Sequence, residues 1–303
     1  MARVNFWTPS PTIAGCAMNP GLAYTALAFV IWGLFPLYFH VIAHVAPLEV
    51  VLHRSVWTLL FMAAVLATKG HWRWLAGALR QPRLVAVFGL SVLLLAGNWL
   101  LYVYAIQSHQ VVQASLGYYI NPLFSVLLGV GVLRERLRPA QWAGVALAVT
   151  GVAWLTWHAG QAPWLALVLA ASFALYGLLR KTAALGPVDG LALETLLLAP
   201  LALPLLLWWT ATRGGALAQG DPATLGWLAF SGPMTAVPLL LFAAGARRLP
   251  LATVGMVQYV SPTLQLLLGV WFFNEPFGGA RVVGFVLIWA ALALVSIDAL
   301  RRR

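Results

Sequence analysis

Long runs of apolar residues recur along almost the whole chain, and they constrain its fold more than any other feature of the sequence. The hydrocarbon core of a bilayer is about 30 Å thick, so a membrane-spanning helix needs roughly 20 apolar residues. The strands of a β-barrel would instead be short and alternating in polarity. The sequence therefore predicts an all-α integral membrane protein with ten transmembrane helices. The predicted spans cover residues 21–39, 47–68, 83–105, 111–133, 140–158, 163–180, 190–209, 223–245, 252–273 and 280–300.

Charged residues are too few to coat a soluble protein of this length. They make up 8% of the 303 residues, and hydrophobic residues make up 62%, whereas a soluble domain carries about 25% charged residues. The apolar surface must therefore face lipid. The single cysteine, Cys16, excludes a disulfide within the chain and a cysteine-based metal site.

The basic residues alternate between loops. Placing the N-terminus in the cytoplasm puts most Lys and Arg on the cytoplasmic side, including Arg180 and Lys181 in a loop after the sixth span, as the positive-inside rule requires. The net charge of +11 therefore reflects topology and predicts no nucleic-acid partner. Both termini are predicted to be cytoplasmic. Residues 1–20 are predicted to form a disordered tail, with Met18 as an alternative start.

The sequence repeats itself at an offset of 140 residues. Without gaps, this offset aligns Tyr119–Glu135 with Tyr259–Glu275 and pairs tyrosine, proline, glycine and glutamate residues as well as leucines. The predicted repeats, residues 21–158 and 163–303, each contain five spans, so the second repeat enters the membrane from the opposite side. Inverted repeats of this kind are the architecture of many secondary transporters. The offset therefore predicts a transporter.

Polar residues surround a proline at the centre of both the fourth and the ninth predicted span. Pro122 and Pro262 lack a backbone donor, which frees the carbonyl groups of Tyr118 and Gln258, and polar residues recur beside them on one helix face. This pattern predicts a substrate pathway between the two prolines. The alternatives are simple kinks and hydrogen bonds between helices. The predicted pathway residues are Trp32, Arg54, Asn98, Tyr102, Tyr118, Asn121, Pro122, Ser125, Gln258, Tyr259, Ser261, Pro262 and Gln265.

Four ionisable residues inside predicted spans matter most, because charge is costly there and is kept for pairing or function. Glu49 and His53 share one face of the second span, and Glu49 lies nearer the interface. Arg54 cannot lose its proton, so it needs a counter-charge or an anionic ligand. Glu194, the equivalent of Arg54 at the 140-residue offset, is the candidate for proton coupling. The alternative is a neutral, hydrogen-bonded glutamate near the cytoplasmic interface.

Six segments, distributed over the two repeats, resemble those of a known protein family. They are FVIWG at Phe29–Gly33, EVVLHRSVW at Glu49–Trp57, GNWLLYVYAI at Gly97–Ile106, QASLGYYINP at Gln113–Pro122, VQYVSPTLQLLLGV at Val257–Val270 and LIWAALALVSIDA at Leu287–Ala299. Together they resemble the EamA-type drug/metabolite transporter superfamily, and within it the RarD proteins, often called chloramphenicol-sensitive proteins. The resemblance implies two five-helix EamA repeats, the bacterial inner membrane and transport. It implies no particular substrate and no site residue.

The sequence contains no P-loop, HExxH or GxSxG motif. We therefore predict no enzyme, no metal and no cofactor, but a secondary exporter of a small metabolite or drug that works by alternating access and whose coupling ion is a proton. The predicted partners are that small-molecule substrate and the lipid bilayer, and a homodimer is left open. The alternatives are a membrane scaffold without transport and an intramembrane enzyme, neither of which is favoured by the small loops or the residues within the spans.

Overall fold

The computed structural model of the protein describes residues 19–68, 70, 72–107, 111–160, 164–274 and 279–300. The predicted N-terminal tail, with Cys16 and Met18, lies outside these ranges except for its last two residues. Within them the chain forms only helices: α1 (Pro20–Gly33), α2 (Phe35–Val41), α3 (Pro47–Thr68), α4 (Arg73–Leu79), α5 (Pro82–Gln107), α6 (Val111–Gly131), α7 (Pro139–Ala159), α8 (Trp164–Thr182), α9 (Pro187–Arg213), α10 (Gly215–Gln219), α11 (Pro222–Ala246), α12 (Leu251–Gln258), α13 (Val260–Trp271) and α14 (Ala280–Leu300).

Seven helical segments of the described chain are long and apolar enough to cross a membrane. They are Pro20–Val41, Pro47–Thr68, Pro82–Tyr102, Trp164–Thr182, Pro187–Arg213, Pro222–Ala246 and Leu251–Trp271. Two further apolar stretches, Leu116–Gly131 and Val282–Asp298, are shorter. The all-helical membrane fold is therefore confirmed, and the count of ten spans stays a prediction.

The helices repeat along the chain with the offset found in the sequence. Helices α9, α11 and α12 begin 140 residues after α3, α5 and α6, respectively. Prolines open several of these helices, at Pro47 and Pro187 and at Pro82 and Pro222, where the missing N–H costs no intrahelical hydrogen bond. Equivalent prolines thus set equivalent helix starts in the two repeats.

Helix packing is reciprocal between the repeats. Three helices pack on their own equivalents: α3 on α9, α6 on α12, and α7 on α14. The other main contacts occur in matched pairs, since α1 packs on α11 as α8 packs on α5, and α3 packs on α11 as α9 packs on α5. A pseudo-two-fold axis produces this pattern. Because the main contacts join the two repeats, each repeat completes the packing of the other.

Two spans are interrupted near a proline, whereas other helices continue through theirs. The first span breaks at Leu34, before Pro36, and the ninth breaks at Tyr259, before Pro262. Each break places the proline in the first turn of a new helix, where its missing N–H is tolerated. Helix α6, by contrast, continues through Pro122. The two equivalent prolines therefore have different effects on their helices.

Candidate substrate site

A cavity of about 560 Å³ lies between the two repeats. Helices α1, α2, α3, α5 and α6 of the first repeat and α8, α11, α12 and α13 of the second contribute residues to its wall. It runs from the middle of the molecule to the end at which α2 turns into α3. At this mouth the wall includes His40 and Ala43, which are exposed, and Phe273, which is half-buried.

Ten of the thirteen predicted pathway residues lie on the cavity wall: Trp32, Arg54, Asn98, Tyr102, Tyr118, Asn121, Gln258, Ser261, Pro262 and Gln265. The other three lie behind it. Ser125 is buried and its hydroxyl group donates to Gln258 Oε1 at 3.4 Å. Tyr259 is fully buried at the helix break, and the carbonyl oxygen of Pro122 faces Gly255, where α12 crosses α6. Ten of the predicted pathway residues thus form part of the cavity wall, and the other three form a layer behind it.

Arg54 is the only residue with a permanent positive charge on the described cavity wall. Its Nε donates to Thr235 Oγ1 of α11 at 3.1 Å. Its guanidinium carbon lies 4.7 Å from the ring centroid of Trp99 and 5.6 and 5.7 Å from those of Phe35 and Phe39. These aromatic faces attract the cation and hold its plane. The charge of Arg54 has no carboxylate partner among the residues that the structure describes.

Two predicted pathway amides tie helices together. The Nδ2 of Asn98 donates to Leu169 O at 2.8 Å and to Ser172 Oγ at 2.9 Å, which joins α5 to α8. The Nε2 of Gln265 donates to Trp32 O at 3.2 Å, which joins α13 to α1. Pro36 lies four residues after Trp32 and cannot satisfy that carbonyl group. For these nitrogens the alternative of hydrogen bonding between helices is the one observed, although both residues also border the cavity.

Asn121 offers an acceptor to the cavity. Its side chain is 5% exposed, and its Oδ1 has no hydrogen-bond partner among the described residues. Buried polar atoms are normally paired, so an unpaired one at a cavity wall points to a bound water or ligand. The rings of Tyr102 and Tyr118 meet edge to face nearby on the wall, with centroids 6.0 Å apart.

An aromatic cluster forms the closed end of the cavity. The ring of Phe242 lies 6.0 Å from Phe29, 5.7 Å from Trp32, 5.5 Å from Phe173 and 6.1 Å from Tyr176, centroid to centroid. Trp32 therefore both borders the cavity and packs against the second repeat, which are the two roles considered for it. Such large apolar rings exclude water from the region beyond them.

Beyond the aromatic cluster lies a buried ion pair between α8 and α9. Arg180 and Glu194 are each 1% exposed, and Arg180 Nη1 lies 3.7 Å from Glu194 Oε1. The hydroxyl group of Ser91 donates to the same oxygen at 2.6 Å. The guanidinium also donates to Pro187 O at 3.1 Å and lies over the ring of Phe88. None of these residues borders the cavity, and Arg180, Glu194 and Ser91 are all buried, so we interpret the pair as the seal of the end opposite to the mouth.

The sequence interpretation placed Arg180 in a cytoplasmic loop, and the structure corrects this. The residue belongs to the last turn of α8, and its side chain points inward over Gly190, where a Cβ atom would come within 2.1 Å of Arg180 Nη1. The space for the Arg180 side chain is formed by Gly190 and Phe88, which belong to other helices. No local sequence pattern could have revealed it.

A second carboxylate holds the same end of the molecule. Glu135, the last residue of the repeated segment in the first repeat, accepts hydrogen bonds from the N–H groups of Leu251 and Ala252 at 2.6 and 2.9 Å. It thereby caps the first turn of α12, and Lys181 Nζ lies 3.8 Å from its Oε1. Its repeat equivalent, Glu275, lies outside the described residues.

Glu49 and His53 lie away from the cavity wall. Glu49 is 3% exposed and its Oε1 accepts from Ala216 N of α10 at 2.6 Å, so it fixes the connection after α9. His53 Nε2 lies 3.8 Å from the same carboxylate oxygen, which confirms the shared helix face. In the described part of the chain, no three His, Cys, Asp or Glu residues come together as metal ligands would.

Comparison with known proteins agrees with this architecture. The profile of the EamA-like transporter family matches residues 19–157 and 161–297. An uncharacterised transporter of Pseudomonas aeruginosa is 44% identical over 95% of this chain and 97% of its own length. Protein RarD of Escherichia coli is 40% identical over 92% of this chain and 95% of its own. Chloramphenicol-sensitive protein RarD of Pseudomonas aeruginosa is 30% identical over 93% and 95%.

One solved crystal structure has the same fold. It covers 93% of this chain and 98% of its own length with a TM-score of 0.69, at 22% sequence identity. Two copies of the family's repeat unit, relatives that bear the name RarD, and a cavity between the repeats all lead to one assignment. The chain belongs to the EamA-like transporter family, among its RarD members.

Proposed function

We propose that the protein is a secondary transporter that carries a small amphipathic metabolite or drug across the bacterial inner membrane by alternating access. The observation that carries this proposal is the cavity between the repeats, open at one end and sealed at the other by Arg180 and Glu194. Alternating access requires a site that one side of the membrane can reach at a time, and inverted repeats supply two such states by exchanging conformations.

The proposed topology has ten transmembrane helices, two five-helix repeats and both termini in the cytoplasm. The sealed end carries Lys181 and Arg247, together with the Arg134, Arg136 and Arg138 cluster, which the positive-inside rule assigns to the cytoplasm. The mouth of the cavity then faces outward. The physiological direction that we propose is export.

We further propose that Glu194 couples transport to protons. In the sealed state its carboxylate lies between Ser91 and Arg180 and has no contact with water. Opening of the cytoplasmic end would hydrate it. A carboxylate that alternates between burial and water binds a proton with different affinity in the two states, which is the requirement for coupling.

The test begins with a thermal-shift screen of purified protein against metabolites and antibiotics, since a ligand that binds only the folded state raises the unfolding temperature. A labelled form of the ligand is then followed in proteoliposomes. Accelerated exchange of the label against unlabelled ligand inside is the expected result. A scaffold or an enzyme cannot accelerate this exchange, so its absence with correctly folded protein would contradict the proposal.

The coupling proposal has its own variant. Glu194→Gln should lose gradient-driven uptake but keep exchange in the absence of a gradient. Asp298→Asn is the matched control, because Asp298 lies at the same end of the molecule in a surface pair with Arg138. If Glu194→Gln keeps gradient-driven uptake at the level of this control, Glu194 is not the coupling residue.

A further inference from the structure

Among the residues that the structure describes, Arg54 has no acidic partner, and this gives information on the ligand. The described cavity wall contains no aspartate or glutamate. The described carboxylates whose partners are known are held elsewhere: Glu49 by α10, Glu135 by α12, Glu194 by Arg180, Asp221 by the start of α11 and Asp298 by Arg138. A guanidinium that is half-buried among aromatic rings, with no anion beside it, has lost part of its water and gained no counter-charge. The cavity is the place from which that counter-charge can come.

The second repeat shows how this position is completed. Glu194 is the repeat equivalent of Arg54, and there the chain supplies both members of an ion pair, Glu194 from α9 and Arg180 from α8. In the first repeat the described residues supply only the base. The residue equivalent to Arg180 is His40, which also lines the cavity and whose ring lies against Phe272 and Phe273 at 6.2 and 5.4 Å.

The surroundings of Arg54 match one kind of molecule. The guanidinium is held on its faces by Trp99, Phe35 and Phe39, and these rings continue into an apolar wall. Its terminal nitrogens have a planar fork that suits a carboxylate or another oxyanion. The unpaired Oδ1 of Asn121 can accept from one donor group on the same ligand.

We propose, building on the transport function above, that the ligand is an organic anion with an aromatic or similarly apolar body, whose acid group pairs with Arg54. The anion also has a role in the closing of the outer half of the molecule. In this structure the inner half is closed, and Arg180 lies beside Glu194. If the outer half closes in the same way, the equivalent residues His40 and Arg54 come together. Two basic groups then meet, and the bound anion lies between them as the missing acid. We therefore expect the bound anion to favour closure of the outer half.

The first experiment measures binding in detergent, by the concentration dependence of the thermal unfolding shift. The probes are phenylacetate and naphthylacetate, each beside its uncharged amide, with phenethylamine as the cation. The wild-type protein should bind at least one acid about tenfold or more tightly than its amide, since a charge-assisted pair is worth more than a neutral hydrogen bond. Equal binding of acid and amide, or no binding of either acid, would overturn the proposal.

Variants locate the preference. Arg54→Gln should bind acid and amide alike, whereas Arg54→Lys should keep a reduced preference for the acid. Arg213→Gln is the matched control, because Arg213 also stacks on a tryptophan, Trp209 at 5.6 Å, but is exposed and lies outside the cavity. A preference for the acid that survives in Arg54→Gln would overturn the role of Arg54. If Arg54→Gln does not fold, the Arg54→Lys variant and the wild-type comparison still decide.

A third variant tests closure. His40→Glu gives Arg54 an acid from the chain itself and so reproduces the Arg180–Glu194 pair at the outer end. In the variant, a cysteine introduced at Ala43 should be labelled more slowly without ligand than the same cysteine beside an unaltered His40. Unchanged labelling would overturn the closing role. Binding in detergent needs no transport. A protein that binds the acid but shows no exchange would therefore contradict only the proposed transport. Exchange of a neutral solute without binding of the acid would contradict only this inference.

Discussion

Arg54 and Glu194 lie at equivalent positions of the two repeats, yet their surroundings are opposite. Arg54 borders a cavity and touches aromatic rings and Thr235. Glu194 is 1% exposed and touches Arg180 and Ser91. Among the described residues, the two halves thus differ in whether the chain completes an ion pair at this position. The comparison teaches that sequence asymmetry within a repeat can decide which end of a carrier is closed at rest.

The largest expected effect comes from removing the cation of the sealed half. Arg180→Leu leaves Glu194 buried without a counter-charge and should lower the free energy of unfolding by about 3–5 kcal/mol. Denaturant or thermal unfolding in detergent measures this loss. The double variant Arg180→Leu with Glu194→Leu should be less destabilised than the single one, because no charge is left buried.

Arg138→Leu is the control for that comparison. Arg138 is 54% exposed in its pair with Asp298, so its removal should cost no more than about 1 kcal/mol. A loss for Arg180→Leu as small as that of Arg138→Leu would show that the buried pair does not hold the sealed half together.

The next effect tests the space that the seal requires. Gly190→Ala places a methyl group within 2.1 Å of Arg180 Nη1 and 2.8 Å of the ring of Phe88, so the guanidinium must leave its position. We expect a loss of roughly 1–3 kcal/mol, as for other overpacked sites. Gly97→Ala in α5 meets no atom within 4 Å and should be neutral or slightly stabilising. Equal stability of the two variants would contradict a tightly packed seal.

Cysteine labelling compares the two ends directly. Ala43 and Ala183 are repeat equivalents, but Ala43 is exposed at the mouth, whereas Ala183 is 8% exposed beside the seal. With Cys16 replaced by serine, a polar thiol reagent in detergent should label Ala43→Cys about tenfold or more faster than Ala183→Cys, because the latter requires local opening. Similar rates at both positions would mean that the two ends are equally closed.

The smallest effect concerns the cap of α12. Glu135→Ala removes the acceptor for Leu251 N and Ala252 N and should cost about 1 kcal/mol, as for other helix caps. Glu135→Gln keeps one acceptor oxygen and should lose less. Thermal unfolding of the three proteins orders them, and a Glu135→Gln variant that is less stable than Glu135→Ala would contradict a capping role.

Much of the fold was predictable because it depends on local composition. Apolar runs bounded by prolines place helix ends within a few residues, and the 140-residue offset identifies equivalent helices before any contact is known. Most predicted pathway residues lie on the cavity wall for the same reason, since polar groups on an apolar helix avoid lipid.

What sequence could not supply depends on which helices become neighbours. Asn98 and Gln265 tie helices together through partners at Leu169 and Trp32, far away in the chain. In the sequence Arg180 resembles a loop cation, and only the fold shows that Gly190 leaves space for its side chain. The break at Tyr259 and the continuity at Pro122 arise from prolines that a sequence comparison treats as the same.

The break at Tyr259 has a mechanical consequence. Helix α12 is fastened at its start by Glu135 and at its middle by the close crossing at Gly255, whereas α13 begins afresh beyond the break. The span thus consists of two helical segments that meet at a fully buried residue. A rotation at this junction that narrows the mouth would move Gln265 and Phe273, and it would have to break the hydrogen bond from Gln265 Nε2 to Trp32 O that ties α13 to α1 in this structure.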